Sequence, residues 1–424
     1  MNKLEYPALG ETVYEETLPN GLKVIVARKP GFQRSYAMFA ARYGGADRRF
    51  RHRGEWIDTP AGVAHFLEHK MFDMPDGTNV LGLFSARGAA PNAFTGAGMT
   101  AYHFTCTQGF EDNLRTLLTY VSTPYYTDES VAKEQGIIGQ EIRMYENNPA
   151  SACFYGMMGA LYAHHPVRET VAGTVESIAE ITPEILYSCH RVFYHPSNMA
   201  LCCVGDVDPR FVADTAAELL SGEPGDVPER DYGPAEDLLP ARERTEKAMA
   251  VAAPLFYIGA KLPPEKDGRA GLRQQLVAEL ALEYLAGQSS GLYTELYAKG
   301  LLNRDFGTGV DTAAGTATAI LAGESPDPEA VMAALTERVD RIARKGVDAG
   351  AFERCRRARY GAELSGLDQF GGYARSLVQG AFEGWRPAEL FDLLTELTGE
   401  EAADFLCETI TPRRLAMSVV RPGQ

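Results

Sequence analysis

The sequence lacks several features that would assign it to common classes of protein. Its seven cysteines include no C-x-x-C pair, and the adjacent Cys202 and Cys203 lie in an apolar run, which predicts reduced cysteines in a buried strand. No Walker or dinucleotide-binding glycine pattern is present. No apolar run is long enough to span a membrane, and the start has no basic segment followed by an apolar one. We therefore expect a cytoplasmic protein without a membrane partner.

Positive charge is also scarce. The chain has 41 Lys and Arg against 57 Asp and Glu, a formal net charge of -16. Such a balance disfavours nucleic acid or an anionic membrane as the main partner and leaves a peptide or another protein. With 45% hydrophobic and 23% charged residues the composition is that of a globular protein, and 424 residues suggest two or three domains.

The order of predicted elements repeats along the chain. Each half runs through strands, helices, a strand, several helices and a final strand over roughly 200 residues. A segment rich in Pro, Gly and charge separates the halves. We predict an α+β protein of two tandem, similar units, residues 1–222 and 247–424, joined by a linker at 223–246. All eight histidines lie in the first half, so histidine–metal chemistry is expected there.

One short motif carries most of the predicted chemistry. His65-Phe-Leu-Glu68-His69 puts two imidazoles and a carboxylate at positions i, i+3 and i+4, which share one face of a helix. The segment Asp58-Thr-Pro60 predicts where that helix begins. Two such histidines, a third ligand and a water can form a catalytic zinc site with Glu68 as base. From these five residues alone, polar side chains that merely hydrogen-bond within a core remain the alternative.

A second predicted helix, at 128–147, offers the missing ligand. Glu134 and Glu141 are seven residues apart and project from nearly the same side. Because Ile137, Ile138 and Tyr145 share that side, we expect both carboxylates on a buried apolar stripe. Buried glutamates are rare unless they are paired or bind a metal. A structural ion pair with a nearby arginine is the alternative.

These segments resemble the M16 family of metallopeptidases (pitrilysin type, inverzincins), and within it the short bacterial members. The likeness rests on H-F-L-E-H-K-M-F from His65 and K-E-Q-G-I-I-G-Q-E-I from Lys133, and on further matches across 15–220. The second half resembles the family more loosely. The resemblance implies an M16/LuxS-like metallohydrolase fold, in which each unit is a mainly antiparallel sheet packed by helices.

The resemblance also implies roles for the motif residues. His65, His69 and Glu141 would hold one zinc ion per chain, Glu68 would be the general base acting on water at the zinc, and Glu134 would be a carboxylate beside the ligands with a part in catalysis. The implied function is a zinc-dependent metalloendopeptidase that hydrolyses peptides or unfolded segments in an enclosed chamber. The alternative is a non-catalytic peptide-binding or scaffold subunit of an M16 heterodimer, although such subunits typically lose a motif residue and this chain has lost none.

Substrate handling is implied by the same resemblance. Family members hold substrate as an added strand along one segment, which here is Asn92, Ala93, Phe94 and Thr95. The second half departs from the family's Arg and Tyr pair, since Tyr297 stands where the arginine is expected. Tyr297 is the weaker candidate for substrate contact. We expect a second chain, as a homodimer or a heterodimer with a metal-lacking paralogue, to supply the missing groups.

Overall fold

Strands and helices alternate along the chain, and the computed structural model describes residues 1–264 and 268–423. The strands are β1 (Asn2–Tyr6), β2 (Glu11–Thr17), β3 (Lys23–Arg28), β4 (Ser35–Ala41), β5 (Arg49–His52), β6 (Glu55–Asp58), β7 (Ala90–Thr95), β8 (Thr100–Cys106), β9 (Met199–Gly205), β10 (Glu229–Arg230), β11 (Arg244–Met249), β12 (Leu255–Lys261), β13 (Gly307–Ala313), β14 (Thr316–Glu324) and β15 (Ala416–Pro422). The helices are α1 (Val63–Lys70), α2 (Val80–Ala86), α3 (Phe110–Val121), α4 (Asp128–Glu146), α5 (Pro149–Leu161), α6 (Val175–Ala179), α7 (Pro183–Phe193), α8 (Pro209–Leu219), α9 (Gly268–Ala286), α10 (Gly291–Ala298), α11 (Pro328–Lys345), α12 (Ala349–Gly366), α13 (Phe370–Glu383), α14 (Pro387–Glu396) and α15 (Gly399–Thr409). Within the described residues, no helix is both long and apolar enough to cross a bilayer.

The chain forms two compact units, each assembled from separate stretches of sequence. The first comprises Met1–Ile142, Thr170–Tyr232 and Leu364–Ala388. The second comprises Arg143–Glu169, Gly233–Glu363 and the chain from Glu389 onward. The boundaries 1–222, 223–246 and 247–424 describe the sequence repeat and stay a prediction, because each compact unit also takes in a stretch from the opposite half.

The first unit is built on a seven-stranded sheet in the order β1-β2-β3-β9-β4-β8-β7. All neighbours are antiparallel except β3 and β9. One face of the sheet buries Phe39, Tyr102 and Leu201 in a core shared with the helices around α1, α3 and α7. Helix α13 packs on the other face, against β9, β4 and β3. A small sheet, β10-β5-β6, belongs to the same unit.

The second unit repeats this plan with a five-stranded sheet, β11-β15-β12-β14-β13, in which only β11 and β15 are parallel. Helix α9 packs near β13 and β14, and α5 packs against β15, β12 and β11. The approach of α5 is close: a Cβ on Gly259 would lie 2.6 Å from Sδ of Met157, and one on Gly156 would lie 2.5 Å from Oγ of Ser418. A larger residue at either position would require the contacting side chains to move, so the two glycines let the helix approach the sheet closely.

The five strands of the second sheet follow the same order as β3-β9-β4-β8-β7 of the first, and each sheet is covered by a helix from the opposite half of the sequence. Helix α5 of the first half completes the second unit, and α13 of the second half completes the first. The predicted fold class, two similar α+β units with mainly antiparallel sheets packed by helices, is confirmed.

The start of α1 differs from the sequence prediction. Residues 55–58 pair with β5 as strand β6, so Asp58 is in a strand and binds Arg49 instead of capping the helix. The helix begins at Val63 after Gly62, which has φ +97°. A Cβ at Gly62 would also lie 2.6 Å from the carbonyl oxygen of Ala172, so both conformation and space require glycine. The prediction was wrong because short hairpin pairing outweighed the local capping signal.

Candidate metal centre

Helix α1 presents the two histidines on one face because its apolar residues take the other. Val63, Phe66 and Leu67 are buried in the core of the first unit. This fixes the rotation of the helix and leaves His65 and His69 side by side, with 4.6 Å between their ring centroids. Because His65 and His69 are four residues apart on a helix, their imidazoles are adjacent.

Helix α4 brings Glu141 between these two rings. Its Oε1 lies 3.6 Å from Nε2 of His65, and its Oε2 lies 3.4 Å from Nε2 of His69. One possible metal-ligand atom from each of the three residues lies within 4.8 Å of the other two. Ligand atoms about 2.0–2.1 Å from a tetrahedral zinc stand about 3.3–3.4 Å apart, so two imidazoles and one carboxylate at this spacing fit a zinc ion.

Glu134, two turns earlier on α4, holds one of the histidines. Nδ1 of His69 lies 2.9 Å from Oε1 of Glu134, which leaves Nε2 directed towards Glu141. Burial lowers the pKa of His69, but the hydrogen bond and charge of Glu134, with the charges of Glu141 and Glu68, outweigh it and leave the pKa above its ordinary value. A carboxylate behind a histidine in this way fixes the tautomer of a metal ligand.

Glu68 is oriented by the end of strand β7. Oγ1 of Thr95 donates to Oε2 of Glu68 at 2.5 Å. Opposite Thr95 on β8, the fully buried Thr100 donates to the carbonyl oxygen of Tyr43 at 2.9 Å and lies 3.3 Å from Oγ1 of Thr95. Sequence reasoning included Thr95 only among possible substrate contacts. Its bond to Glu68 was missed because it depends on β7 lying beside α1, which no local pattern encodes.

Strand β7, which carries Asn92, Ala93, Phe94 and Thr95, is the edge of the first sheet. It pairs with β8 on one side, and in the described chain no strand pairs with its other side. An edge strand of this kind offers free backbone donors and acceptors to another strand. Tyr297 belongs to α10 of the second unit, where it is 46% exposed and stacks on Tyr293 at 5.8 Å between ring centroids.

A cleft opens beside the histidines. Its volume is about 520 Å³, and Glu68, His69 and Glu134 line it together with Phe72 and the exposed Ile137. The predicted buried stripe on α4 was therefore wrong in part, since Ile138 is fully buried but Tyr145 is 36% exposed. Ile137 is 46% exposed, because this side of α4 forms a wall of the cleft instead of packing into the core. Of the three candidate ligands, His69 lines this cleft, and Glu68 and Glu134 line it beside His69.

Comparison with known proteins defines the family. Residues 52–175 match the family described as Insulinase (Peptidase family M16), and residues 180–359 match the family described as Peptidase M16 inactive domain. The uncharacterized zinc protease YmfH of Bacillus subtilis (strain 168) is 38% identical over 425 residues, covering 99% of each chain. The chain belongs to peptidase family M16, so the resemblance seen in the sequence is confirmed.

Solved structures agree with this assignment. An M16-like peptidase from Alicyclobacillus acidocaldarius is 34% identical, with a TM-score of 0.93 over 99% of this chain and 100% of that chain. A protease from Helicobacter pylori is only 16% identical, yet it has a TM-score of 0.81 over 97% of this chain and 99% of that one. The second likeness shows the fold alone.

Proposed function

We propose that the protein is a zinc-dependent metalloendopeptidase with one zinc ion per chain. The observation that carries the proposal is the spacing of His65, His69 and Glu141 around one point, with Glu68 beside it in an open cleft. This donor set suits zinc, and three protein ligands leave a position for water, as in catalytic zinc sites. When bound, zinc supplies a Lewis acid that polarises the scissile carbonyl and acidifies a water molecule.

Other residues of the chain transfer the proton, position the catalytic groups and bind the peptide. Glu68 takes a proton from the attacking water as its oxygen bonds to the carbonyl carbon, and returns the proton to the amide nitrogen as the carbon–nitrogen bond breaks. Thr95 holds Glu68 in place, and Glu134 holds His69. The peptide lies as an added strand along β7, where backbone pairing accepts an extended chain of varied sequence.

The proposed partner is supported by the family likeness, and the proposed compartment by the cysteines. We propose that peptides or unfolded segments are cleaved in a chamber completed by a second chain, either an identical copy or a metal-lacking M16 paralogue. The exposed Tyr297 is a candidate to contact substrate there. Seven free cysteines, six of them buried, are consistent with a reducing cytoplasm.

A non-catalytic, peptide-binding subunit of an M16 heterodimer is the second candidate. It is favoured by the match of residues 180–359 to the inactive-domain family. The intact set of histidines and glutamates in the first half favours the peptidase.

The test combines metal analysis with a peptide-library digest. We expect one zinc per chain and cleavage that falls by at least about 10³-fold in Glu68→Gln with zinc retained, since the substitution removes the base but no ligand. Glu111→Gln is the matched control, because the carboxylate of Glu111 is exposed on α3, and this variant should cleave normally. A zinc-loaded wild-type protein that cleaves nothing, alone or with an M16 paralogue, would establish the scaffold subunit instead.

A further inference from the structure

The edge strand β7 presents different chemistry on its two faces. Successive side chains of a strand point to opposite faces, so Phe94 points away from the face on which Thr95 meets Glu68. Phe94 lies 6.2 Å from the ring of His103, which in turn stacks on Tyr36 at 5.3 Å. This second face of the sheet is the one that α13 covers.

Helix α13 places a cation at this point. The guanidinium of Arg375 lies 4.6 Å from the ring centroid of Phe94, a distance typical of a cation–π contact. Arg375 is exposed, and in the described part of the chain no carboxylate forms an ion pair with it. The ring fixes the guanidinium beside the open edge of β7 and leaves its N–H donors available.

A second arginine in the same unit makes the contrast clear. Arg34 lies at the same distance, 4.6 Å, over the ring of Phe370. Its Nη2, however, donates to the backbone carbonyl of Asp368 at 3.2 Å. Arg34 therefore helps to attach the start of α13, whereas the donors of Arg375 face no such acceptor among the residues that the structure describes.

We propose that Arg375 makes the site select peptides with Asp or Glu at the position that pairs with Phe94. The inference rests on the proposed function in one respect, that the peptide adds as a strand to β7. Residues directly opposite each other in antiparallel strands project to the same face with their Cβ atoms about 4.5–5.5 Å apart. A carboxylate opposite Phe94 therefore reaches the guanidinium of Arg375, which can donate a hydrogen bond to each of the two carboxylate oxygens.

Different residues of the protein would then contact the two faces of the bound peptide. Side chains on the α1 face pass the histidines and Glu68, and side chains on the α13 face pass Phe94 and Arg375. Because the ion pair is partly exposed, we expect the preference for an acidic residue to be about 5-fold in affinity at low salt. High salt weakens it, since exposed charges are screened.

Binding to zinc-loaded, full-length Glu68→Gln tests the proposal without any need for cleavage. The probes are short extended peptides in which one Glu moves along an otherwise neutral sequence, each matched with a Gln peptide. Fluorescence polarisation should show that the Glu peptide binds more tightly than its Gln match when the Glu stands at one position of the peptide, or at either of two positions that are two residues apart. Adding Arg375→Gln should make the affinities of the Glu and Gln peptides equal, and Arg375→Glu should make the Gln peptide bind more tightly than the Glu peptide. Adding Arg34→Gln is the control and should leave the preference intact.

The outcomes separate this inference from the proposed function. An unchanged preference in Arg375→Gln, or no binding of any peptide, overturns the inference, and Arg375 then only covers the Phe94 ring. Loss of thermal stability in Arg375→Gln with an unchanged preference indicates that purely structural role. An Arg375-dependent preference in a protein whose wild-type form never cleaves would support the inference and reject the peptidase.

Discussion

The two units use the same architecture to hold different groups of polar residues between equivalent helices. In the first, α1 and α4 direct His65, His69 and Glu141 at a shared point. By order in the repeat, α9 and α12 of the second unit correspond to them, and there Oε2 of Glu279 lies 2.7 Å from Nη2 of Arg359. One pair of helices brings together side chains that could hold a metal, whereas the other pairs an acid with a base.

This difference teaches that the scaffold alone does not make a site. Both units align two helices over a sheet of the same strand order. The identity of a few side chains decides whether the facing residues of the two helices converge as possible metal ligands or form an ion pair. The helix exchange is the shared feature, because each sheet depends on a helix from the other half of the sequence.

The largest expected effect comes from undoing that exchange. A fragment of residues 1–222 lacks α13, whose buried Phe370, Tyr373, Leu377 and Val378 cover one face of the first sheet. At about 1.5–3 kcal/mol for each large apolar side chain, their loss is of the order of the whole stability of a domain. We expect the fragment to show no cooperative thermal transition by circular dichroism.

The control fragment joins residues 364–388 to 1–222 through a flexible linker. It exposes the apolar face of α5 to the same extent, so a recovered transition reports α13 alone. A fragment of residues 1–222 that melts cooperatively and binds zinc would show that the sequence repeat, and not the compact unit, is the folding unit.

The next effect concerns Glu134, which has no metal role of its own in the proposal. Glu134→Gln keeps the shape but removes the charge behind Nδ1 of His69. We expect zinc affinity, measured by chelator competition, to fall by about 10- to 100-fold with little change in thermal stability. Glu129→Gln, an exposed carboxylate on the same helix, should bind zinc as the wild type does. Equal affinities would mean that Glu134 does not support the metal centre.

Much of this could be predicted from the sequence, for identifiable reasons. Helical periodicity puts His65 and His69 on one face, and the spacing of Glu134 and Glu141 matches a second helix. Both are local properties, and the repeated order of elements gave the fold class. The exchange of α5 and α13 was not predictable, because an amphipathic helix does not encode which sheet it covers. The exposure of the α4 stripe was missed for the same reason, since a cleft wall and a core face can both be apolar.

A smaller effect is expected at Thr95, whose hydroxyl orients Glu68. Thr95→Val keeps the volume and the β-branch but removes the donor. We expect kcat to fall by about 10-fold, near the value of one hydrogen bond to a charged group, with KM and zinc content unchanged. Thr95→Ser should recover most of the loss. Full activity in the valine variant, or failure of serine to rescue it, would assign Thr95 a packing role.

The smallest effect should come from the ion pair of the second unit. Burial raises the pKa of Glu279 more than the charge of Arg359 and the hydrogen bond from Gln275 lower it, so ionising this carboxyl gains little. Arg359 is also partly exposed and keeps Glu363 at 2.7 Å. Glu279→Gln should therefore change the free energy of unfolding by less than about 1 kcal/mol, because the partly exposed Arg359 keeps Glu363 and no unpaired buried charge is left behind. Zinc content should not change. A loss above about 3 kcal/mol in chemical denaturation would show that the pair holds the second unit together, and the contrast between a functional and a merely tolerated polar pair would then fail.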